Sequence, residues 1–177
     1  KDYKTIGIMS SLNRIGTEWA GGSYGLLTEA YPTTQSFGVW GWYSEAASYD
    51  PTTAVAYMTN VEVAYDEANH NANETENGAW EPVTLYYWPK NGSLTFFSFS
   101  PWDGLYDSVE CSPEDGIVIS YWDVDANQEV DVMVADVKKK QTANSTNDGY
   151  NGVPTIFRHK LSQIVNVTFK TDKAYNA

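Results

Sequence analysis

The chain has 177 residues, with 11 basic and 23 acidic side chains and a formal net charge of −12. That length predicts one domain, or at most two small ones, able to bury about two-thirds of the unfolded surface. The acidic balance argues against a nucleic-acid binder, which needs a basic face. A 15% aromatic content excludes a disordered acidic tail. The lone Cys111 excludes an internal disulfide framework and any multi-cysteine zinc site. No run of about 18 apolar residues is present to span a membrane as a helix, and Lys1-Asp2-Tyr3-Lys4 is not followed by a signal-like apolar stretch.

In chain order, the first predicted strand is Thr5-Ile6-Gly7-Ile8-Met9. A long loop is expected over 16–34. The next strand is Ser36-Phe37-Gly38-Val39-Trp40-Gly41-Trp42-Tyr43, followed by one over 55–65. An Asn-rich acidic loop is expected over 66–78. Strands then run over 80–88 and 93–100, with Pro89-Lys90-Asn91-Gly92 as a tight hairpin turn between them. Two more cover 116–122 and 130–137, a polar loop covers 138–152, and the last strand covers 155–170. Each strand is rich in β-branched and aromatic residues and bounded by Gly, Pro, Asn or Asp.

The final strand is the most regular. Phe157, His159, Leu161, Val165, Val167 and Phe169 share one parity; Arg158, Lys160, Asn166, Thr168 and Lys170 share the other. The run Leu161-Ser162-Gln163-Ile164 breaks the alternation, as a bulge would. His159 is therefore expected in the core beside Phe157, Leu161 and Val165. No segment carries a helical period beyond two turns. The pattern predicts an all-β antiparallel sandwich rather than a βαβ fold, as a single domain over 1–177.

Sites of chemistry are weakly signalled. The run Asp123-Val124-Asp125-Ala126-Asn127-Gln128-Glu129-Val130-Asp131 looks like a calcium loop. It has Gln128 and Val134 where an EF-hand needs Gly and a bidentate Glu, so a solvated turn is expected and calcium should raise the melting temperature little. His70 falls in the Asn-rich loop, and no Gly-x-Ser-x-Gly elbow accompanies either histidine. Glu110 and Glu114 would oppose a thiolate at Cys111. A pair of carboxylates could serve a glycosidase, but nothing singles one out. No enzyme activity, metal or cofactor is expected. Seven tryptophans raise the alternative of a surface glycan-binding module. Trp40, Trp42, Trp80, Trp88 and Trp122 fall in strands, where packing explains them, which leaves Trp19 and Trp102 as stacking platforms.

Four segments, in order, resemble a known family. They are Ser36 to Tyr43; Tyr87-Trp88-Pro89-Lys90-Asn91-Gly92-Ser93-Leu94-Thr95-Phe96-Phe97-Ser98-Phe99-Ser100-Pro101; Gln128-Glu129-Val130-Asp131-Val132-Met133-Val134-Ala135; and Phe157-Arg158-His159-Lys160-Leu161-Ser162-Gln163-Ile164. They are similar to the strand motifs of the fimbrillins of Bacteroidales, the type V pilus subunits and their tip or anchor proteins. The resemblance implies a transthyretin-like Greek-key sandwich of about seven strands. It also implies export as a lipoprotein precursor, display at the outer membrane in a fimbrium, and a role in cell adhesion. Partners would be other fimbrial subunits through donor-strand exchange, with a host surface protein or glycan beyond them and no nucleic acid.

The chain departs from the pattern in having no lipobox cysteine and in stopping at Ala177, where family members continue into a second β-domain. In such a family the first strand is excised after a basic residue. The candidate bond is Arg14–Ile15, with Lys4 a weaker choice. The removable strand would carry Ile6 and Ile8 on its groove side, at a sheet edge or between two. Asp107-Ser108-Val109 matches an O-glycosylation tripeptide at Ser108. The sequons at Asn73, Asn91, Asn144 and Asn166 are read as chance.

Overall fold

The computed structural model describes residues 6, 8–15, 26–45, 48–66, 79–120, 130–143 and 152–160. Among them are eleven strands and no helix. They are β1 (Ile8–Ile15), β2 (Leu26–Ala30), β3 (Phe37–Ser44), β4 (Val55–Asp66), β5 (Ala79–Pro82), β6 (Ser93–Ser100), β7 (Val109–Ser112), β8 (Gly116–Ile119), β9 (Met133–Ala135), β10 (Lys138–Gln141) and β11 (Val153–His159). Nine of them pair in the order β10-β6-β3-β4-β5-β1-β11-β9, with β2 against β1, while β7 and β8 form a separate hairpin.

Pairing is dense within two groups and thin between them. One group is β10-β6-β3-β4-β5 and the other is β2-β1-β11-β9. They meet through one pair, Ile8 with Trp80, and through Phe99 with Val134 and Ser100 with Met133. This is the expected sandwich, two sheets joined at their margins over a shared core. Two details differ from the expectation. There are more than seven strands, and the β1–β11 ladder is parallel while all others are antiparallel.

The core follows from period two. Phe37 and Val39 of β3, Leu94 and Phe96 of β6, and Val153 and Phe157 of β11 share one cluster with Tyr31, Met58, Val63, Trp80 and Trp88. Phe37 and Phe157 come from different sheets and their ring centroids stand 5.0 Å apart, edge to face. The opposite face of β6 is buried too. Phe99 packs with Leu105, Val109 and Val132, and Trp40, Trp102 and Ile117 lie against them. All eight residues of β6 are therefore buried, which explains its continuous run of Leu, Thr, Phe and Ser.

In β4 the alternation changes parity, from Met58 to Val61 and Val63. The register against β3 shifts there, and Asn60 takes φ of 46°. A bulge at Asn60 re-aims the strand so that both halves feed the core.

Several expectations need correction. No hairpin joins 80–88 to 93–100. The first run forms a strand only over β5, which pairs with β4 and β1, and has a single further bridge at Tyr87, while β6 is flanked by β3 and β10. Both edges of β6 are thus taken by other strands. Gly92 has the positive φ of 74°, while Asn91 does not share it. Within the expected loops 16–34 and 138–152 lie β2 and β10.

His159 is not in the core. Parity carries it to the side of Phe157, but it is the last residue of β11 and is exposed. Its Nδ1 lies 2.8 Å from Asp131 Oδ1, with a third of the side chain exposed. Lys4, Trp19, His70, Trp122, residues 123–129, residues 161–170 and the sequons at Asn73, Asn144 and Asn166 lie outside the described residues.

Tyr31 ties the two layers together by its hydroxyl. It is 3% exposed, hydrogen-bonds Ser100 Oγ at 2.5 Å and donates to Ser36 O at 3.3 Å. Burial pushes its pKa up to about 12, against the opposing hydrogen bond from Ser100 and with help from the Asp131 carboxylate. The unfolded chain therefore releases this proton first. The stability held by Tyr31 is complete below pH 10 and is lost as pH rises from 10 to 12. Urea unfolding over that window should show wild type losing about 2 kcal/mol more than Tyr31→Phe. Equal losses would contradict the assignment.

Candidate assembly site

The residues singled out for maturation converge on β1. The expected strand 5–9 begins later and runs further, as Ile8–Ile15. Arg14 and Ile15 are thus inside a strand rather than in the loop after it. The stretch Ser10-Ser11-Leu12-Asn13-Arg14 has little intrinsic strand character. Its conformation is set by the neighbours that supply its hydrogen bonds.

Those neighbours define a slot. Along one edge β1 runs parallel to β11 through six pairs, Ile8 with Val153 to Asn13 with Arg158. On the other side it meets Trp80 of β5 at Ile8, and β2 from Ser11 with Ala30 to Ile15 with Leu26. Just before β1, Ile6 is 1% exposed within the main core, and its N–H donates to Tyr86 O at 2.9 Å. The strand lies inside the β2-β1-β11-β9 group and touches β5 at its first residue, with Ile6 just ahead of it seated in the core.

The two arginines of the chain differ in protection. Arg158 is paired on both sides, with Asn13 of β1 and Val134 of β9. Its guanidinium also makes a two-point contact with Asp136, both distances 2.8 Å. Arg158 draws the Asp136 carboxyl below its usual range, first by hydrogen bonding and then by its charge. Among the described residues, Arg14 pairs with Leu27 of β2 alone, because the β11 ladder stops at Asn13.

Ser108 lies half-buried where the turn after Trp102 feeds β7. Its N–H donates to Leu105 O at 2.8 Å, and its carbonyl accepts from Ser120 N at 2.9 Å.

The described tryptophans are packed to different degrees. Trp80 and Trp88 are both 7% exposed. Trp102, the platform candidate, is stacked on Tyr106 at 4.7 Å and 19° and rests on the smaller core. Its ring is already covered by a tyrosine of its own chain.

Cys111 is an intermediate-burial residue of β7. Burial pushes its thiol up to about 11, partly offset by the Trp42 indole. Burial, more than the neighbouring carboxylates, keeps it protonated. At pH 8 the folded protein should therefore react with iodoacetamide about a hundredfold more slowly than free cysteine. A rate within a few-fold of free cysteine would contradict this environment. Among the described residues, no three His, Cys, Asp or Glu side chains gather to hold a metal ion.

No curated protein and no solved structure matches the chain. A family profile described as fimbrillin-like matches residues 29–177, beginning inside β2 and so leaving β1 outside the matched stretch. That match spans most of the sequence, the fold is the all-β one the resemblance implied, and the chain belongs to the fimbrillin-like family, a family of structural pilus proteins.

Proposed function

We propose that the chain is a subunit of a bacterial surface fimbria, as a shaft component or as a tip or anchor protein, assembled by donor-strand exchange. In this reading β1 is the strand removed on maturation, after cleavage between Arg14 and Ile15. A strand from a neighbouring subunit then takes its place. The supporting observation is the position of β1 between β11 on one side and β5 and β2 on the other. Without it, the six positions of β11 that pair with it lose their partners on that side, and the pocket of Ile6 opens onto the core. An open edge beside an apolar groove is what a donor strand satisfies, by backbone hydrogen bonds and buried side chains together.

The wider role follows from the same reading. The subunit is displayed at the outer membrane, derives from a lipidated precursor, and supports adhesion through a host protein or glycan. Ser108 is the proposed O-glycan acceptor, outside the slot.

Limited digestion with an arginine-specific protease tests the maturation step. Cleavage after Arg14 should precede cleavage after Arg158, because only the latter is paired on both sides. The cut protein should form multimers and take up a labelled peptide of residues 6–14, and the intact protein should do neither. Resistance at Arg14, or a cut product that stays monomeric and binds no peptide, would remove the strand-exchange reading.

A further inference from the structure

We infer that an uncharged apolar strip beside the β1 slot is a contact surface for the body of a second copy of this chain. The occupant is the copy whose strand fills the slot, so the inference rests on the strand-exchange reading. The strip consists of Val55 and Tyr57 of β4 with Leu85 and Tyr87 of the segment after β5. Their exposures are 62, 36, 56 and 44%.

The strip exists because β5 is short. It pairs with β4 only from Val63 to Asp66. After Pro82 one more bond, Val83 N–H to Glu62 O at 3.0 Å, holds the chain to β4. Then it peels away. Over 55–60, β4 keeps β3 on one side and, among the described residues, pairs with no strand on the other. The two parts remain one surface. The Tyr57 hydroxyl donates to Tyr87 O at 2.6 Å, and the Tyr57 and Tyr86 rings are 6.3 Å apart. An apolar strand edge left uncovered is a place where another chain docks.

Charge and position select the occupant. The chain carries a net charge of −12, so two copies repel over most of their surfaces. Residues 55–57 and 83–87 contain no charged side chain, and there like-charged bodies can meet at least electrostatic cost. The strip also borders the slot directly, because Ile6 N–H donates to Tyr86 O. A donor strand laid along β1 in the same direction arrives beside Tyr86, and the body that carries it lies over Leu85 and Tyr87.

Leu85→Asp and Val55→Asp, each in Arg14-cut protein, test the inference with two readouts. Free peptide 6–14 carries a strand but no body, so its uptake should stay within about twofold of wild type. Multimer formation by light scattering should fall about tenfold or more, the effect of a carboxylate forced into an apolar contact. Should circular dichroism show one variant unfolded, the other carries the test. Multimers at wild-type levels would overturn the inference while leaving strand exchange intact. Wild-type protein that assembles without taking up peptide, and whose assembly falls in the variants, would remove strand exchange and keep the strip as a self-contact. Wild-type protein that forms no multimers would overturn the inference.

Discussion

Phe157→Ala should remove about 3–5 kcal/mol from the unfolding free energy, the usual range for emptying a buried aromatic site. Phe157 is fully buried and sits where the two layers meet. Its ring centroid is 5.0 Å from those of both Tyr31 and Phe37. Tyr31 and Phe37 both pack edge-on or tilted against Trp80, so the cavity would open at the centre of an aromatic cluster. Rigid rings refill such a space poorly. On the backbone, Phe157 pairs with Leu12 of β1 and Ala135 of β9, so both neighbours should lose order with it. Phe157→Leu should cost far less, because most of the volume stays. A denaturant midpoint for Phe157→Ala within experimental scatter of wild type would contradict the placement of this core.

Gly38→Ala is the second large effect. A Cβ at Gly38 would overlap the Phe99 ring on the neighbouring strand, and the two residues are in register. Phe99 is fully buried in the smaller core, packed against Leu105, Val109 and Val132. Overpacking of this kind costs about 1–3 kcal/mol, and the upper part of the range is expected here. The diagnostic is a double-mutant cycle with Phe99→Leu. The smaller side chain should relieve the clash, so the double variant should be at least about 1 kcal/mol more stable than the sum of the single changes predicts. Strict additivity would show that the two residues do not meet. At Gly41 the atom nearest such a Cβ is Met58 Cβ at 3.2 Å, a tight contact rather than an overlap, so the same substitution should be milder.

The strands that could be read from sequence are those that bury a face. The expected 93–100 strand matches β6, and 36–43 is displaced by one residue from β3. In β11 the burial of Val153, Thr155 and Phe157 follows the odd parity seen in the letters. The missed strands are those that bury little or owe their form to partners. In β10, Lys138 to Lys140 look like a solvated loop, yet lysines are what an edge strand carries to keep other chains away. The hairpin β7–β8 was half missed. Its turn is set by Gly116, at φ of 73°, and by Ser112 Oγ accepting from Asp115 N–H at 2.8 Å, a local bond without periodicity.

The candidate site was legible in part. Ile6 was expected on the inward side and is buried, but the length of β1 and the pairing of Arg14 were not foreseen. A strand held by non-local hydrogen bonds leaves no alternation to read. His159 was misplaced for the opposite reason. Alternation gives the face on which a residue lies, and it is silent on how far along the strand the cover extends.

Amide hydrogen exchange along β11 tests whether β1 is a replaceable part of the sheet. Three samples are compared: intact protein, Arg14-cut protein stripped of its N-terminal fragment, and the stripped protein refilled with the 6–14 peptide. Exchange over 153–158 should be slow in the intact chain. Stripping should accelerate it, and added peptide should restore protection while β3 and β6 change little. Protection of 153–158 that survives removal of β1, or that the peptide fails to restore, would contradict the claim.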